Sequence, residues 1–316
     1  MSGADYNLRV SAQPAPAPLG RILTAMVTPF ANDGSLDLGA SRALARHLVA
    51  NGSDGLVLAG TTGEAPTLSD AEKLALFEAV LEEVGGDAHI VANTGTYDTA
   101  HSATLTRQAA ALGVHGFLAV TPYYSKPPLE GVRRHFGAIA DSAGDLPLVL
   151  YNIPQRVIVN VDPGSIIQIA ASHANLVAVK QATPDPSQAR AIIEAGIAVY
   201  AGNDDLVLPF LELGGCGGIC VASHLVGTRF VELCDLVTAG KIDEAHARNA
   251  QLAPLLDALS VTVNPIPIKT ALALLGHRVG GLRLPLIEAS AAERVAIQAA
   301  LSAFGLTAHA DATATR

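Results

Sequence analysis

Tryptophan is absent from this chain of 316 residues, and the other aromatic residues are scarce, with six Tyr and seven Phe. So few aromatic rings leave little material for stacking nucleic-acid bases. Basic residues are also outnumbered, 20 Lys and Arg against 29 Asp and Glu, and the formal net charge of −9 has the wrong sign for binding a phosphate backbone. The composition therefore argues against nucleic acid as a partner.

Cysteine is equally scarce. Cys216, Cys220 and Cys234 form an odd set that lies in or beside apolar runs, which is typical of reduced packing residues and not of a disulfide framework. No apolar run reaches the length that spans a bilayer, and the N-terminal segment lacks the continuous apolar stretch of a signal peptide. These features predict a protein of the reducing cytoplasm with no membrane partner.

Short apolar runs, by contrast, recur eight times between stretches of helical periodicity. They cover residues 22–27, 55–59, 90–93, 116–120, 148–151, 176–179, 198–201 and 219–222. The runs are apolar on successive residues, as in strands that are covered on both faces, and their alternation with helices predicts a parallel sheet. Eight β/α units at near-regular spacing favour an α/β fold of the closed (β/α)8 TIM-barrel type over an open doubly wound sheet.

The pattern changes after residue 240, where helical stretches at 242–259, 269–275 and 291–304 follow one another without strands. The predicted organisation is a barrel at 20–241 and a C-terminal helical region at 242–306. A flexible leader at 1–19, rich in Ala and Pro, and a flexible tail at 307–316 are predicted at the two ends.

Lys180 closes the sixth apolar run, at the end of a strand where barrel enzymes carry their active sites. Burial disfavours a charged ammonium group, and a neutral amine can attack a carbonyl carbon to form a Schiff base. Taken alone, a lysine in this place more often packs its stem on apolar surface and keeps its head in water. The residues that follow the other strands favour the first interpretation.

Polar segments follow three of these strands: GTTGE at 60–64, TPYYSKPP at 121–128 and YNIPQR at 151–156. Glycines and exposed N–H groups near a helix start favour an anion such as a carboxylate. Tyrosine hydroxyls can relay protons, and the guanidinium of Arg156 can hold a carboxylate through two parallel bonds. Because these residues are all expected at the same end of the barrel, they predict an active site there.

Other chemistries lack their usual motifs. No histidine is spaced as a metal ligand with Asp204, Asp205 or a cysteine. The glycine-rich run at 214–218 precedes a predicted strand instead of following one, so it is interpreted as a connection of small residues and not as a dinucleotide site. Phosphate-binding loops and nucleophile elbows are not found.

Together these motifs resemble the dihydrodipicolinate synthase family, within the pyruvate-dependent class I aldolases. The resemblance runs from about residue 20 to residue 305 and includes VTPF at 27–30, NPIPIK at 264–269 and LRLP at 282–285. It implies a (β/α)8 barrel with a C-terminal helical region, usually assembled as a homotetramer that is a dimer of dimers. It also implies catalysis without a metal or an organic cofactor.

Four catalytic residues follow from the resemblance. Lys180 is similar to the lysine that forms a Schiff base with pyruvate. Tyr151 is similar to the proton-relay residue beside it, which acts with Thr61 and with Tyr124, the latter reaching into the site of a neighbouring subunit.

Four substrate-binding residues are implied in the same way. Thr62 resembles the residue that binds the pyruvate carboxylate, and Gly202 and Ile219 line the same pocket through their backbone. Arg156 resembles the residue that receives the carboxylate of the second substrate, aspartate 4-semialdehyde. The product would serve lysine and diaminopimelate biosynthesis.

The chain departs from the family pattern at several positions that are expected to surround the pocket for the second substrate, namely Gln155, Val157, Ile158, Gln181 and Asn203. These departures leave open another aldolase or dehydratase of the superfamily, of the N-acetylneuraminate lyase or keto-sugar-acid type. A non-catalytic barrel that binds a keto acid or serves as a scaffold is a third hypothesis.

Feedback-sensitive relatives bind lysine through polar residues at positions that match Ala65, Asp70, Lys73, Tyr97 and His101 of this chain. The residues found here do not form the familiar His, Asn and Glu pattern. Insensitivity to lysine is therefore predicted.

Overall fold

The computed structural model describes residues 14–307 of the chain. Eight parallel strands pair in chain order and close into a barrel, which confirms the predicted (β/α)8 fold. The strands are β1 (Ile22–Ala25), β2 (Gly55–Leu58), β3 (His89–Asn93), β4 (Gly116–Val120), β5 (Leu148–Asn152), β6 (Leu176–Gln181), β7 (Ala198–Ala201) and β8 (Gly217–Cys220).

Helices connect the strands and continue past the barrel. They are α1 (Leu38–Ala50), α2 (Asp70–Val84), α3 (Thr99–Leu112), α4 (Leu129–Ala143), α5 (Pro154–Val157), α6 (Pro163–Ser172), α7 (Pro186–Glu194), α8 (Val207–Glu212), α9 (Ser223–Thr238), α10 (Ile242–Ala258), α11 (Ile266–Leu274) and α12 (Ala291–Ala303). Short 3-10 helices lie at Ala65–Thr67 and Asp204–Leu206.

The strands bury both faces, which explains why they are apolar on successive residues. Leu23 and Val57 belong to a cluster inside the barrel, whereas Ile22 and Leu56 belong to a larger cluster between the strands and the helices. Successive side chains of a strand point to opposite faces, so each short run supplies both layers.

Helix α2 begins with a capping box. The Ser69 side chain accepts a hydrogen bond from the backbone N–H of Glu72, and the Glu72 carboxylate accepts one from the backbone N–H of Ser69. This reciprocal capping satisfies two of the N–H groups that a helix start leaves without a partner inside the helix.

The last strand differs from its predicted position. β8 starts at Gly217 and not at residue 219, so part of the glycine-rich run interpreted as a connection is strand. Gly217 has φ +151°, and a Cβ atom there would lie 1.8 Å from the carbonyl oxygen of Arg21 on the neighbouring strand entry. Only glycine lets the two backbones approach this closely.

The C-terminal helices share the outer core of the barrel. Leu252 and Leu255 of α10 and Leu272 of α11 are buried in the same apolar cluster as the barrel helices. The predicted division at residue 242 therefore separates the alternating strands and helices from a region of helices alone. It does not separate two hydrophobic cores.

The predicted leader and tail lie partly outside the described residues, at 1–13 and 308–316. Within the described part, Leu19 is 1% exposed and its N–H donates to the Tyr200 hydroxyl at 3.2 Å. Ala15 donates its N–H to the carbonyl of Gly214 at 3.1 Å. The packed body thus begins before residue 20, contrary to the predicted boundary of the flexible leader.

Candidate active site

Lys180 lies inside the barrel as the fifth of the six residues of β6. The strand was predicted to end at Lys180, and it continues one residue further, to Gln181. Its side chain is buried, with the residue 5% exposed, and its Nζ atom lies 4.3 Å from the centre of the Tyr151 ring. The pairing of β5 with β6 places the two residues directly opposite each other, so the sheet itself sets their approach.

A cavity of about 440 Å³ opens at this end of the barrel. Ala25, Val57 and Leu118 contribute apolar side chains to its lining. Six of the eight residues predicted for the site line this cavity: Thr61, Thr62, Tyr151, Arg156, Lys180 and Gly202. The barrel therefore brings together residues from the ends of several different strands, as expected of this fold.

Two predicted residues are not part of the cavity lining. Ile219 is fully buried in the apolar cluster inside the barrel, whereas Val221, two residues further on, lines the cavity. Tyr124 is 91% exposed, has φ +69° and lines neither described cavity of its own chain. Tyr123, its neighbour, lines a second cavity instead.

Contacts with the C-terminal helical region hold the loop that carries Thr61 and Thr62. Thr62 is buried, and its hydroxyl oxygen accepts a hydrogen bond from the side-chain amide of Asn264 at 2.9 Å. Glu64, with φ +57°, accepts from the amine of Lys269 at 2.7 Å and from the backbone N–H of Arg283 at 3.0 Å. The loop conformation therefore depends on residues about 200 positions later.

Arg156 is exposed and projects from α5 at the rim of the cavity. Its Nη2 atom lies 3.5 Å from the main-chain oxygen of Asn264, a long contact. Among residues 14–307 it forms no ion pair, which leaves its charge available to an anion.

Asp204, which was not among the predicted site residues, also belongs to the site. Its two carboxylate oxygens accept from the N–H groups of Val221 and Ala222 at 2.8 and 2.7 Å, just before α9. Burial raises the pKa of Asp204, while the two N–H groups and the charge of Lys180 act to lower it. The carboxylate lines the same cavity as Lys180.

A second cavity of about 290 Å³ adjoins the first. Five residues line both: Thr61, Tyr151, Ile153, Arg156 and Asn264. Asn264 was not predicted, because it lies in a turn before α11 and nothing in its local sequence indicates contact with the barrel mouth.

The departures from the family pattern lie in different places. Asn203 lines the first cavity and Val157 the second. Gln155 and Ile158 are exposed, and neither lines a described cavity. Gln181 is fully buried and points away from the barrel interior, where it accepts from Asn152 at 3.1 Å, so the expectation that it borders the substrate pocket is wrong.

Within the described residues, no three His, Cys, Asp or Glu side chains are close enough together to hold a metal ion. Over the same residues, no helix has the length and apolar character needed to cross a membrane.

The closed barrel, with a buried lysine facing a tyrosine at its carboxyl end, defines a lyase of the class I aldolase type. A model of the Dihydrodipicolinate synthetase family matches residues 18–304. The 4-hydroxy-tetrahydrodipicolinate synthase of Moorella thermoacetica is 49% identical over 290 residues, which cover 91% of this chain and 99% of that protein. The chain therefore belongs to the Dihydrodipicolinate synthetase family, as the motifs predicted.

Solved structures agree with this assignment. The structure of the family enzyme of Cyanidioschyzon merolae with lysine bound matches with a TM-score of 0.90 at 41% identity, over 92% of this chain and 99% of that chain. The chloride-inhibited enzyme of Acinetobacter baumannii in complex with pyruvate matches with a TM-score of 0.87 at 34% identity, over 92% of this chain and all of that chain.

Proposed function

We propose that this protein is a 4-hydroxy-tetrahydrodipicolinate synthase, which condenses pyruvate with L-aspartate 4-semialdehyde in lysine and diaminopimelate biosynthesis. The observation that carries the proposal is the approach of the Lys180 amine to the Tyr151 ring at 4.3 Å, at the buried end of a cavity that Arg156 also lines. The chemistry uses a covalent link to the substrate and no metal or organic cofactor. The three cysteines are buried and unpaired, which fits the predicted cytoplasmic location.

The first steps take place on Lys180. Its neutral amine adds to C2 of pyruvate, and loss of water leaves a protonated imine. The imine withdraws electrons from C3, so the methyl group loses a proton and becomes an enamine carbon. Thr62 and the backbone at Gly202, which line the cavity, hold the pyruvate carboxylate.

The enamine carbon then attacks the aldehyde carbon of the semialdehyde, and the aldehyde oxygen takes up a proton to become a hydroxyl. The amino group of the new product adds to C2 and expels the Lys180 amine, which closes the ring. Tyr151 and Thr61 move protons between these positions, because both line the cavity next to Lys180.

Arg156 receives the carboxylate of the semialdehyde. The guanidinium lies exposed at the rim of the cavity, whereas Lys180 is buried inside the barrel. An acidic aldehyde bound there would enter the cavity with its carbonyl group foremost.

Tyr124 completes the relay in the site of a second copy of the chain, within a homotetramer. The support is its 91% exposure and its position outside the cavity of its own chain. Mixing Lys180→Ala subunits with Tyr124→Phe subunits should restore part of the lost activity, since a hybrid dimer contains one complete site. No recovery after mixing would contradict the proposal that Tyr124 acts in the site of a second copy.

The test of the function is a steady-state comparison of aldehydes and sugar acids. With pyruvate present, aspartate 4-semialdehyde should be consumed with a higher kcat/KM than N-acetylneuraminate or keto-sugar acids are cleaved. A preference for the sugar acids would overturn the proposal in favour of another aldolase of the superfamily.

A further inference from the structure

The last residue pair of the β5–β6 ladder lies directly behind the active site. Asn152 and Gln181 end their strands and face each other, and both are fully buried. The pair before them in the ladder is Tyr151 with Lys180. Because side chains alternate along a strand, the two amides point toward the helices while the tyrosine and the lysine point into the barrel.

The register of these two strands changes once along the ladder. Leu148 faces Leu176, but all later pairs are shifted by one residue on β6. If the first register continued, Tyr151 would face Val179 and not Lys180. A slip of one residue also turns the side chains of a strand to the opposite face of the sheet. The approach of Lys180 to Tyr151 therefore depends on what holds the second register.

The side chain of Gln181 links β5 to the segment that follows β6. Its Oε1 atom accepts a hydrogen bond from Asn152 Nδ2 at 3.1 Å, across the ladder. Its Nε2 atom donates to the hydroxyl of Thr183 at 2.9 Å and to the side-chain oxygen of Gln188 on α7 at 3.2 Å. A slipped register would separate the two buried amides, and buried polar groups without partners are unfavourable.

Asn152 is held from its other side by the segment after α5. Its Oδ1 atom accepts from the backbone N–H of Val161 at 3.1 Å, and its Nδ2 atom lies 3.2 Å from the carbonyl oxygen of the same residue. Nδ2 also lies 2.9 Å from Oδ1 of Asn160. Contacts on both sides fix the plane of the Asn152 amide, so Gln181 bonds to a group that is itself held in place.

We propose that Gln181 is a positioning residue for the reaction, which acts by holding the strand register that sets Lys180 opposite Tyr151. This inference rests on the proposed function, in which the two residues exchange protons through the bound substrate. Gln181 lines neither described cavity, so its effect reaches the substrate only through the strands. A displacement of about 1 Å between reacting groups can slow a reaction about 100-fold.

The experiment measures how fast pyruvate alone forms the adduct that borohydride traps, at a series of pyruvate concentrations. Gln181→Met keeps the length of the side chain and removes its hydrogen bonds. The maximal rate should fall about 10- to 100-fold. The half-saturating pyruvate concentration should stay within about 3-fold of the parent, because the groups that hold the pyruvate carboxylate lie on other loops.

Two further variants of the network sharpen the test. Gln181→Glu keeps an oxygen acceptor for Asn152, and the Thr183 hydroxyl can turn to donate to it, so the maximal rate should recover to within about 5-fold of the parent. Thr183→Val removes one acceptor of the Gln181 amide and should slow adduct formation about 2- to 5-fold. This milder variant gives the answer if Gln181→Met does not fold.

Asn175→Leu is the matched control. Asn175 directly precedes β6 at the other end of the strand, and its amide donates to the carbonyl oxygens of Ala140 and Gly144, both at 2.8 Å. Its loss should lower the urea midpoint but leave the maximal rate per folded chain within about 2-fold of the parent, since the geometry at the site is unchanged.

Four results bear on the inference in different ways. Slower adduct formation in Gln181→Met, with recovery in Gln181→Glu and a parent-like rate in Asn175→Leu, is the expected result. A parent-like rate in both Gln181→Met and Thr183→Val would overturn the inference and leave Gln181 a role in stability alone. Equal slowing in Gln181→Met and Gln181→Glu would also overturn it, because the bond to Asn152 would then not be the cause. A parent protein that forms no adduct would refute the proposed function and this inference together.

Discussion

Glu64 and Lys269 form an ion pair of 2.7 Å, with side chains that are 0% and 2% exposed. The pair joins the loop after β2, which carries Thr61 and Thr62, to helix α11. Burial lowers the pKa of Lys269, and the neighbouring Glu64 opposes that shift by favouring the charged amine. The C-terminal helical region thus holds the active-site loop in place.

Lys269→Met should destabilise the protein by about 3–5 kcal/mol, because it leaves the Glu64 carboxylate buried without its partner. Urea unfolding at neutral pH measures the change. In Glu64→Gln/Lys269→Met the loss should be smaller than the sum of the two single losses, since neither charge remains. Arg229→Met, which removes one of the two partners of Glu232 from a surface pair of 3.2 Å, is the control and should have a much smaller effect. Equal losses in Lys269→Met and the control would contradict the account.

A second charge pair makes stability depend on pH. The guanidinium of Arg283 hydrogen-bonds to Glu72 and holds the pKa of that carboxyl at about 2, below its ordinary value of 4.5. The folded protein binds this proton more weakly than the unfolded chain, so the stabilisation is present above about pH 4.5 and is lost as the pH falls toward 2. Urea midpoints should show that Glu72→Gln loses less stability than the parent on going from neutral pH into this range. If the variant lost as much stability in acid as the parent, other carboxylates would be the cause of the acid sensitivity.

Arg156→Ala should separate the two halves of the reaction. The variant should still form the pyruvate adduct, while its kcat/KM for aspartate 4-semialdehyde falls by an amount equivalent to about 2 kcal/mol. This is the lower end of the range for truncating a charge partner, because Arg156 is exposed. Trapping of the adduct and the aldehyde assay are run on the same preparation. Equal damage to both steps would show that Arg156 does not act on the second substrate alone.

Lysine should not inhibit the enzyme. At the positions predicted for a lysine site, the carboxylate of Asp70 already bonds to His101 Nε2 at 2.7 Å and lies 3.6 Å from the amine of Lys73. A lysine ligand would meet an acid that is already engaged and a cation of like charge beside it. A steady-state titration with lysine is the check, and strong inhibition at low millimolar concentration would refute the prediction.

The barrel and the Lys180–Tyr151 pair could be predicted because short, continuous stretches of the sequence indicate them. Lys180 and Tyr151 each end a short apolar run, and parallel strands bring such ends to one face. The contact of Asn264 with Thr62 could not be predicted, since it joins positions 202 residues apart and the NPIPIK motif does not indicate which residue its asparagine contacts.

Gly217 shows a second limit of prediction from the sequence. Glycine is depleted in strands, so a glycine-rich run predicts a connection. Here the close approach to the carbonyl of Arg21 requires glycine inside the strand. The outward direction of Gln181 was open to prediction, because side chains alternate along a strand and Lys180 faces the interior.

The most direct measurement is mass spectrometry of the protein after borohydride reduction with pyruvate. The account predicts one added pyruvate-derived group per chain, located on Lys180 by peptide mapping and absent from Lys180→Ala, with Lys126→Ala as a matched control that keeps the adduct. An unmodified chain, or an adduct on a lysine other than Lys180, would contradict the account.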